Sequence, residues 1–197
     1  MIKALIIDWY GVCGERQQDV WISELRHVDP DAIKKAFKAH LDEWVLMNIS
    51  GLEFQKRVFH DLGLDHKGYE HLITKLGKIN WDLLKALSKI KKEYKIILLS
   101  DNMDELVPLI EAELGGFDGY FDMVVLSNFI KKIKNDPETY RIVMKDAGVK
   151  TSECIFIDDR DRNIEVARKL GIDTIKFDSN EKLWEELGKR KIVIPAS

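Results

Sequence analysis

The sequence has little of what marks a secreted or membrane-spanning protein. Its 197 residues include only two cysteines and four prolines. Two cysteines exclude a disulfide-rich scaffold. Because Cys154 lies inside an apolar run, we expect Cys13 and Cys154 to be buried free thiols. No apolar run approaches the ~20 residues that a membrane span requires.

An excess of either charge is also missing. The chain has 31 Lys and Arg residues against 34 Asp and Glu residues, which gives a net charge of -3. Nucleic-acid binding depends on a clustered basic surface, so we expect neither a nucleic acid nor a membrane as partner. The apolar stretch at the N-terminus ends at Asp8, well short of a secretory signal. These absences make the cytoplasm the expected location.

What the sequence does contain is a series of short apolar runs with helical patterns between them. Hydrophobic residues make up 45% of the chain. The runs are rich in β-branched residues and apolar at odd and even positions, which is typical of strands buried on both faces of a parallel sheet. Alternating strands and helices predict an α/β fold with a doubly wound parallel sheet. The predicted strands are Ala4–Ile7, Ile96–Leu99, Met123–Leu126, Cys154–Ile157, an interrupted fifth at Ile172–Phe177, and a short edge strand at Ile192–Ile194.

One long segment breaks this alternation. Residues 14–87 contain no comparable apolar run and show amphipathic helical patterns instead. We therefore expect a core made of residues 1–13 and 88–197, with residues 14–87 inserted after the first strand as a helical cap. Helices are predicted at about Gln17–His27, Pro30–His40, Gly51–Leu62 and Tyr69–Leu76 in the cap, and at about Met103–Leu114, Pro137–Ala147 and Arg162–Leu170 in the core.

Polar residues follow the first four predicted strands. Ligands of open parallel sheets bind outside the carboxyl ends of the strands, so these residues should meet at one edge. Three carboxylates, a hydroxyl and a lysine at that edge form a candidate catalytic site. They are supplied by Asp8, by Ser100-Asp101-Asn102, by the segment from Ser127 to Lys134, and by Asp158-Asp159.

The charges at this edge call for a cation. Asp8, Asp158 and Asp159 would repel one another by about 4 kcal/mol per pair at ~4 Å and an effective dielectric constant of ~20. Hard oxygen ligands of this kind favour Mg²⁺. The ion and Lys134 would cancel the repulsion and let a carboxylate attack an anionic phosphoryl group.

Taken in chain order, these residues lie in four short segments. The segments resemble the motifs of the haloacid dehalogenase-like (HAD) hydrolase superfamily, most of whose members are Mg²⁺-dependent phosphatases. The resemblance implies a Rossmann-like core, a helical cap after the first motif and a small phosphorylated substrate. Whether the protein is a monomer or a homodimer stays open. The four matching segments are Ile6–Val12, Leu98–Asn102, Lys134–Tyr140 and Ile155–Asp159, the last followed by Asn163.

The resemblance also implies a role for each site residue. Asp8 would be the nucleophile and a metal ligand, and the backbone carbonyl of Tyr10 would be a second ligand. Asp158 and Asp159 would complete the metal site, and Ser100 and Lys134 would hold the phosphoryl group. Further phosphate contacts are expected from Trp9, Gly11, Asp101 and Asn102, in part through backbone N–H groups.

One position departs from the phosphatase pattern. Most phosphatases of the superfamily carry an acid–base Asp two residues after the nucleophile, where this chain has Tyr10. A phenol has an ordinary pKa of about 10, so it can donate a proton at neutral pH but is a poor base. Asp-x-Tyr-Gly is also similar to the first motif of the metal-independent 2-haloacid dehalogenases. Those enzymes lack the acidic pair that Asp158 and Asp159 provide here, which favours the phosphatase interpretation. A binding or regulatory protein with weak catalysis is the third alternative.

Aromatic and basic side chains of the cap are candidates for contacts with substrate. Trp9 and Trp44 are the aromatic residues that we expect first in a pocket, although core packing explains either one. Arg16, Arg26 and Arg57 could reach an anion or lie on a solvated helix face. The five histidines fall within the proposed cap without a convincing set of zinc ligands.

Overall fold

A computed structural model describes residues 1–194, which contain a five-stranded sheet in which all strands run parallel. The strand order is β3-β2-β1-β4-β5, so the first strand lies in the middle of the sheet. All five predicted core strands are present. The strands are β1 (Ala4–Ile7), β2 (Lys95–Ser100), β3 (Met123–Leu126), β4 (Cys154–Asp158) and β5 (Asp173–Lys176).

Helices cover both faces of this sheet. Leu5 and Ile7 of β1 pack into one hydrophobic cluster, while Ala4 and Ile6 pack into another. Side chains alternate between the two faces of a strand, so these clusters lie on opposite sides of the sheet. The helices are α1 (Gln17–Glu24), α2 (Pro30–Val45), α3 (Gly51–Asp61), α4 (Trp81–Ile90), α5 (Val107–Leu114), α6 (Ser127–Ile130), α7 (Pro137–Ala147), α8 (Asp161–Lys169) and α9 (Asn180–Lys189).

Different helices pack against the two faces of the sheet. The cluster on the Leu5 side includes buried side chains of α4, α5 and α9, and the cluster on the Ala4 side includes those of α7 and α8. A parallel sheet covered on both faces explains why its strands read as continuous apolar runs. None of the helices within residues 1–194 combines the length and the apolar character that a membrane span needs.

Several helix predictions need correction. The second helix extends past His40 to Val45, because Leu41, Trp44 and Val45 continue its buried face. The segment predicted as a helix over residues 69–76 forms only a 3₁₀ turn at Glu70–Ile73. The predicted edge strand at residues 192–194 does not form, and a positive φ of 62° at Lys191 turns the chain just before it.

Three of the helices, α4, α9 and the single-turn α6, were not predicted at all. Both α4 and α9 begin with a polar side chain that caps the first turn. The Asn80 side chain accepts a hydrogen bond from the N–H of Leu83, and the Ser179 side chain accepts one from the N–H of Lys182. These are ordinary helix-start signals, so the sequence carries information that the prediction did not use.

The helices α1, α2 and α3 pack around a cluster of aromatic rings. Trp21 contacts Phe37, Phe54 and Phe59 edge-on, with ring centroids 5.3 to 5.9 Å apart. Trp44 stacks on Phe54 at 4.2 Å. This segment therefore has an aromatic core of its own, and the name cap is kept for it below.

Two chain segments connect these helices to the sheet, and they run side by side. The N–H of Glu15 donates to the carbonyl of Lys78 and the N–H of Asn80 donates to that of Cys13, both at 2.8 Å. A boundary at residues 87/88 would cut through α4, since that helix continues to Ile90. We therefore propose that the cap is divided from the core at these paired segments, residues 13–15 and 78–80.

Candidate active site

The candidate site forms at the carboxyl ends of the three central strands. Because β1 pairs with β2 on one side and with β4 on the other, the residues that end these strands are brought together. Asp8 follows β1, Ser100 ends β2 and Asp158 ends β4. All three side chains are buried.

Lys134 links two of the carboxylates. Its Nζ lies 2.5 Å from Oδ1 of Asp8 and 2.7 Å from Oδ2 of Asp158. The lysine side chain is only 2% exposed, so the three charged groups meet away from bulk water. A contact of this kind between charged groups in a low-dielectric surrounding is far stronger than the same contact on the surface.

Burial and charge move the pKa values of these groups in different directions. Burial raises the pKa of Asp8 well above its ordinary value, although the charge of Lys134 opposes the rise. Burial acts in the same direction on Asp158, but the charge and hydrogen bond of Lys134 outweigh it and lower the pKa of that carboxyl. Burial would lower the pKa of Lys134, yet the charges of Asp158 and Asp8 raise it overall. Lys134 therefore stays protonated and Asp158 ionised, and Asp8 takes up a proton more readily than Asp158.

Hydrogen bonds fix the orientation of Asp158. The Asn163 amide donates to both of its carboxylate oxygens at 3.0 and 3.1 Å, and the backbone N–H of Arg160 donates to Oδ1 at 2.8 Å. Asn163 therefore holds the loop after the acidic pair, as its place in the sequence suggests. These bonds also help to keep Asp158 ionised.

Asp159 is the third carboxylate and pairs with a residue that precedes the cap helices. Both Nε and one terminal nitrogen of Arg16 contact its Oδ2 atom. The contact passes close to Gly11, which has a φ of +88°, and a Cβ atom built on Gly11 would lie 2.3 Å from Oδ2 of Asp159. A side chain at position 11 would therefore be strained by its backbone angle and would collide with the acid.

These three carboxylates are close enough to share one metal ion. Asp8, Asp158 and Asp159 each offer an oxygen within 4.8 Å of the others. Oδ1 of Asp159 is buried without a hydrogen-bond partner among the described residues, so it has an unused lone pair to offer. Hard, anionic oxygen donors are the ligands that Mg²⁺ prefers, and the residues present fit such an ion.

Tyr10 occupies the position at which the motif departs from the phosphatase pattern. Its hydroxyl donates a 2.8 Å hydrogen bond to Oδ1 of Asn102. Burial, followed by the charge of Asp8, raises the pKa of Tyr10 well above 10. The phenol is therefore held as a proton donor, and it does not ionise in the physiological range.

The segment after β2 supplies further polar groups. Oδ1 of Asp101 accepts hydrogen bonds from the Ser127 hydroxyl at 2.5 Å and from the backbone N–H of Lys134 at 3.0 Å, so Asp101 fixes the loop that carries the lysine. The Ser100 hydroxyl and the Asn102 amide nitrogen are buried without partners among residues 1–194. Unpaired buried donors are costly, and at a strand end they are suited to binding a ligand.

A narrow cleft leads to Asp8 from the cap side. It is lined by polar and apolar side chains from both parts of the chain: Asp8, Tyr10, Gln17, Gln18, Phe37, Leu41, Asp101, Met103, Lys134 and Arg160. The Trp9 ring lies outside this cleft and lines a neighbouring cavity, although its backbone N–H donates to Oδ1 of Asp8 at 2.6 Å. Trp44 is buried in the aromatic core of the cap, so it is not among the residues that line the cleft.

Sequence reasoning missed several residues of this cleft. Gln17, Gln18 and Arg160 were not singled out, although Arg160 directly follows the acidic pair and its position was a usable signal. Of the three candidate arginines, only Arg16 is paired with an acid of the site. Arg57 is paired with Glu53 and Glu43 within the cap.

Comparisons with known proteins show similarity to hydrolases over most of the chain. The family model described as haloacid dehalogenase-like hydrolase matches residues 2–171. The chain is 26% identical over 200 residues to D-ribitol-5-phosphate phosphatase of Bacteroides thetaiotaomicron, covering 95% of this chain and 97% of the relative. The crystal structure of a HAD family enzyme from the same organism, in complex with magnesium and inorganic phosphate, superposes with a TM-score of 0.67 at 25% identity and covers 95% of this chain and 99% of that one. The L-2-haloacid dehalogenase of Xanthobacter autotrophicus shares the fold with a TM-score of 0.68 at 19% identity, covering 98% of this chain and 85% of that one.

Proposed function

Because this chain belongs to the haloacid dehalogenase-like hydrolase family, we propose that it is a Mg²⁺-dependent phosphatase of small phosphate esters with Asp8 as its nucleophile. One observation carries the proposal. A buried carboxylate at the end of the central strand is held by a buried lysine, with two further carboxylates within reach of a shared cation. That arrangement suits a reaction in which an anion attacks another anion.

The metal would be held by Asp8, Asp158 and Asp159, together with the backbone carbonyl of Tyr10. When bound, the ion supplies positive charge that offsets the carboxylates and polarises the phosphoryl oxygens. The chain's own residues do the rest of the binding. Lys134 and the Ser100 hydroxyl would hold the phosphoryl oxygens. The N–H groups of Trp9 and Gly11, which were expected as further donors, already donate to Oδ1 of Asp8 and to the carbonyl of Gly14.

In the first step, a carboxylate oxygen of Asp8 attacks phosphorus. The bond between phosphorus and the leaving alcohol breaks, and an aspartyl phosphate forms on Asp8. In the second step, water attacks phosphorus and gives up a proton to solvent. The bond between phosphorus and the Asp8 oxygen breaks, which releases inorganic phosphate and restores the carboxylate. Two easier steps thus replace one difficult displacement.

Tyr10 can serve the first step but not the second. Its protonated hydroxyl could donate a hydrogen bond to the departing alcohol oxygen, which takes its proton from solvent. The phenol itself stays protonated, because its raised pKa disfavours loss of that proton, and a protonated phenol cannot act as the base for the attacking water. We therefore propose that hydrolysis of the aspartyl phosphate is the slow step and that the phosphorylated enzyme accumulates during turnover.

The cleft favours a compact and partly polar substrate. Gln18 and Arg160 line it beside Phe37, Leu41 and Met103, so polar and apolar groups face the same space. The relatives include phosphatases named for D-ribitol 5-phosphate, phosphorylated carbohydrates and fructose 1-phosphate. We propose a phosphorylated sugar or sugar alcohol as the substrate class.

A panel of phosphate esters tests this proposal. The native protein should release phosphate from an activated aryl phosphate and from at least one sugar or polyol phosphate with Mg²⁺, and chelator should abolish release. Asp8→Asn should have no activity, while Asp65→Asn, which alters an exposed cap residue, should keep it. Release that chelator leaves unchanged would contradict the metal requirement.

A second candidate is hydrolysis of a carbon–halogen bond, which the Asp8-x-Tyr10-Gly11 pattern favours. Asp158 and Asp159 weigh against it, because an acidic pair without a metal would repel a halocarboxylate from Asp8. The two functions differ in product. Metal-independent release of halide from a 2-haloacid would support dehalogenation, and its absence under conditions that support phosphate release would exclude it.

A further inference from the structure

Arg16 is placed to control how Asp159 faces the rest of the site. It immediately precedes α1, and two of its nitrogens contact the same carboxylate oxygen, Oδ2. The Asp159 side chain is 3% exposed and that of Arg16 is 38% exposed. A partly exposed arginine therefore touches a nearly buried acid.

The contact uses only one of the two carboxylate oxygens. Oδ1 of Asp159 is buried and has no partner among the described residues. A buried anionic oxygen without a partner is costly unless a ligand completes it. Since Arg16 fixes Oδ2, the second oxygen is left for another cation.

The ion pairs of the site support different roles for the two oxygens of Asp159. Lys134 contacts Asp8 and Asp158 but is not paired with Asp159. Among residues 1–194, Arg16 supplies the one positive charge in contact with that third acid. Gly11 makes the approach possible, because a Cβ atom there would lie 2.3 Å from Oδ2 of Asp159 and 3.0 Å from Nε of Arg16.

We propose that Arg16 is a positioning residue for the metal site. It holds Asp159 through Oδ2 and thereby presents Oδ1 to the cation that Asp8 and Asp158 share. The inference rests on the proposed function only in requiring that these acids bind a divalent cation. Because α1 begins at the next residue, the metal site is oriented from the cap side of the chain.

Calorimetric titration of the whole protein with Mg²⁺ alone tests the role of Arg16. Loss of a residue that orients a metal ligand typically weakens metal affinity by about 10–100-fold. Arg16→Ala should therefore raise the Kd for Mg²⁺ by about tenfold or more. Arg16→Lys keeps the positive charge but lacks the several nitrogen donors of the guanidinium group. Its Kd for Mg²⁺ should fall between those of the native protein and Arg16→Ala. Arg57→Ala removes an arginine paired only within the cap and should leave the Kd unchanged.

A second readout separates positioning from a general structural role. The Mg²⁺ concentration that gives half-maximal phosphate release should rise in Arg16→Ala, while the rate at saturating Mg²⁺ should stay close to the native rate. An unchanged or lower Kd in Arg16→Ala would overturn the inference, and a lower Kd would mean that Arg16 competes with the ion. If the native protein binds no Mg²⁺, both the proposed metal dependence and this inference fail. If it binds Mg²⁺ as tightly as Arg16→Ala does, only the inference fails.

Discussion

Replacing Lys134 by methionine tests the buried charge cluster at the centre of the site. Methionine nearly preserves the length of the side chain, so the variant removes the ammonium without leaving a large cavity. It would leave Asp8 and Asp158 buried and facing each other without the cation that contacts both at 2.5 and 2.7 Å. Removing one partner of a buried ion pair costs about 3–5 kcal/mol. For a chain of this size, that corresponds to a fall in Tm of about 6–20 °C in metal-free buffer.

The pH dependence of this loss has a definite sign. In the variant, Asp8 can relieve the repulsion by binding a proton, and burial already raises its pKa. Stability that depends on a carboxyl with a raised pKa is present at low pH and is lost as pH rises through that pKa. The gap between Lys134→Met and the native protein should therefore be larger at about pH 8 than at about pH 5. Added Mg²⁺ should narrow the gap at the higher pH.

Thermal and urea denaturation measure this effect, and Lys132→Met is the matched control. Lys132 pairs with Asp136 four residues along the chain, and both side chains are more than a third exposed. Loss of such a pair costs at most about 1 kcal/mol. A Lys134→Met protein no less stable than Lys132→Met at about pH 8 would refute the view that Lys134 compensates two buried carboxylates.

Three further predictions concern single positions. Tyr10→Asp should restore a base for the water step and raise turnover by up to the ~10²–10⁴-fold that acid–base catalysis supplies. Tyr10→Phe should give no such rise, and steady-state and burst kinetics measure the turnover of both variants. Gly11→Ala should lower the urea midpoint more than Gly63→Ala, because both glycines have positive φ but only the new Cβ at Gly11 meets a carboxylate; equal losses would contradict the close approach. Cys13 and Cys154 should resist alkylation in the native protein at about pH 8 and react in denaturant. Both are fully buried, and burial raises the pKa of the Cys154 thiol to about 11. Rapid labelling of the native protein would contradict this prediction by showing that the hydrophobic cores open.

The sheet was predictable from the sequence because its strands carry a local signal. Ala4–Ile7 and Met123–Leu126 were predicted with the limits that the structure shows, since polar residues flank each apolar run. The cap was harder to predict. Residues 69–76 have helical spacing, but Gly68 and Gly77 flank the segment and only one 3₁₀ turn forms. The apolar residues at 192–194 resembled a strand, yet Ile192 packs into the core and no partner strand pairs with them in the described part of the chain.

The composition of the candidate site was predictable, but its internal contacts were not. Parallel strand ends must meet, and this alone predicts that Asp8, Ser100 and Asp158 lie at one edge. The pairing of Arg16 with Asp159 joins residues 143 positions apart, and no local pattern encodes it. Trp44 was expected first in a pocket and does not line the cleft. Its place on an amphipathic helix is compatible with a pocket and with a core. Only the packing against Phe54 decides that it belongs to the core.

Asp8 is expected to become phosphorylated during turnover. The most direct measurement is acid quenching of the protein during turnover of an activated phosphate ester with Mg²⁺, followed by mass analysis of the peptide that contains Asp8. We expect one added phosphoryl group on Asp8, which disappears when the substrate is exhausted and never forms in Asp8→Asn. Sustained phosphate release while the Asp8 peptide stays unmodified, or equal release by Asp8→Asn, would contradict it.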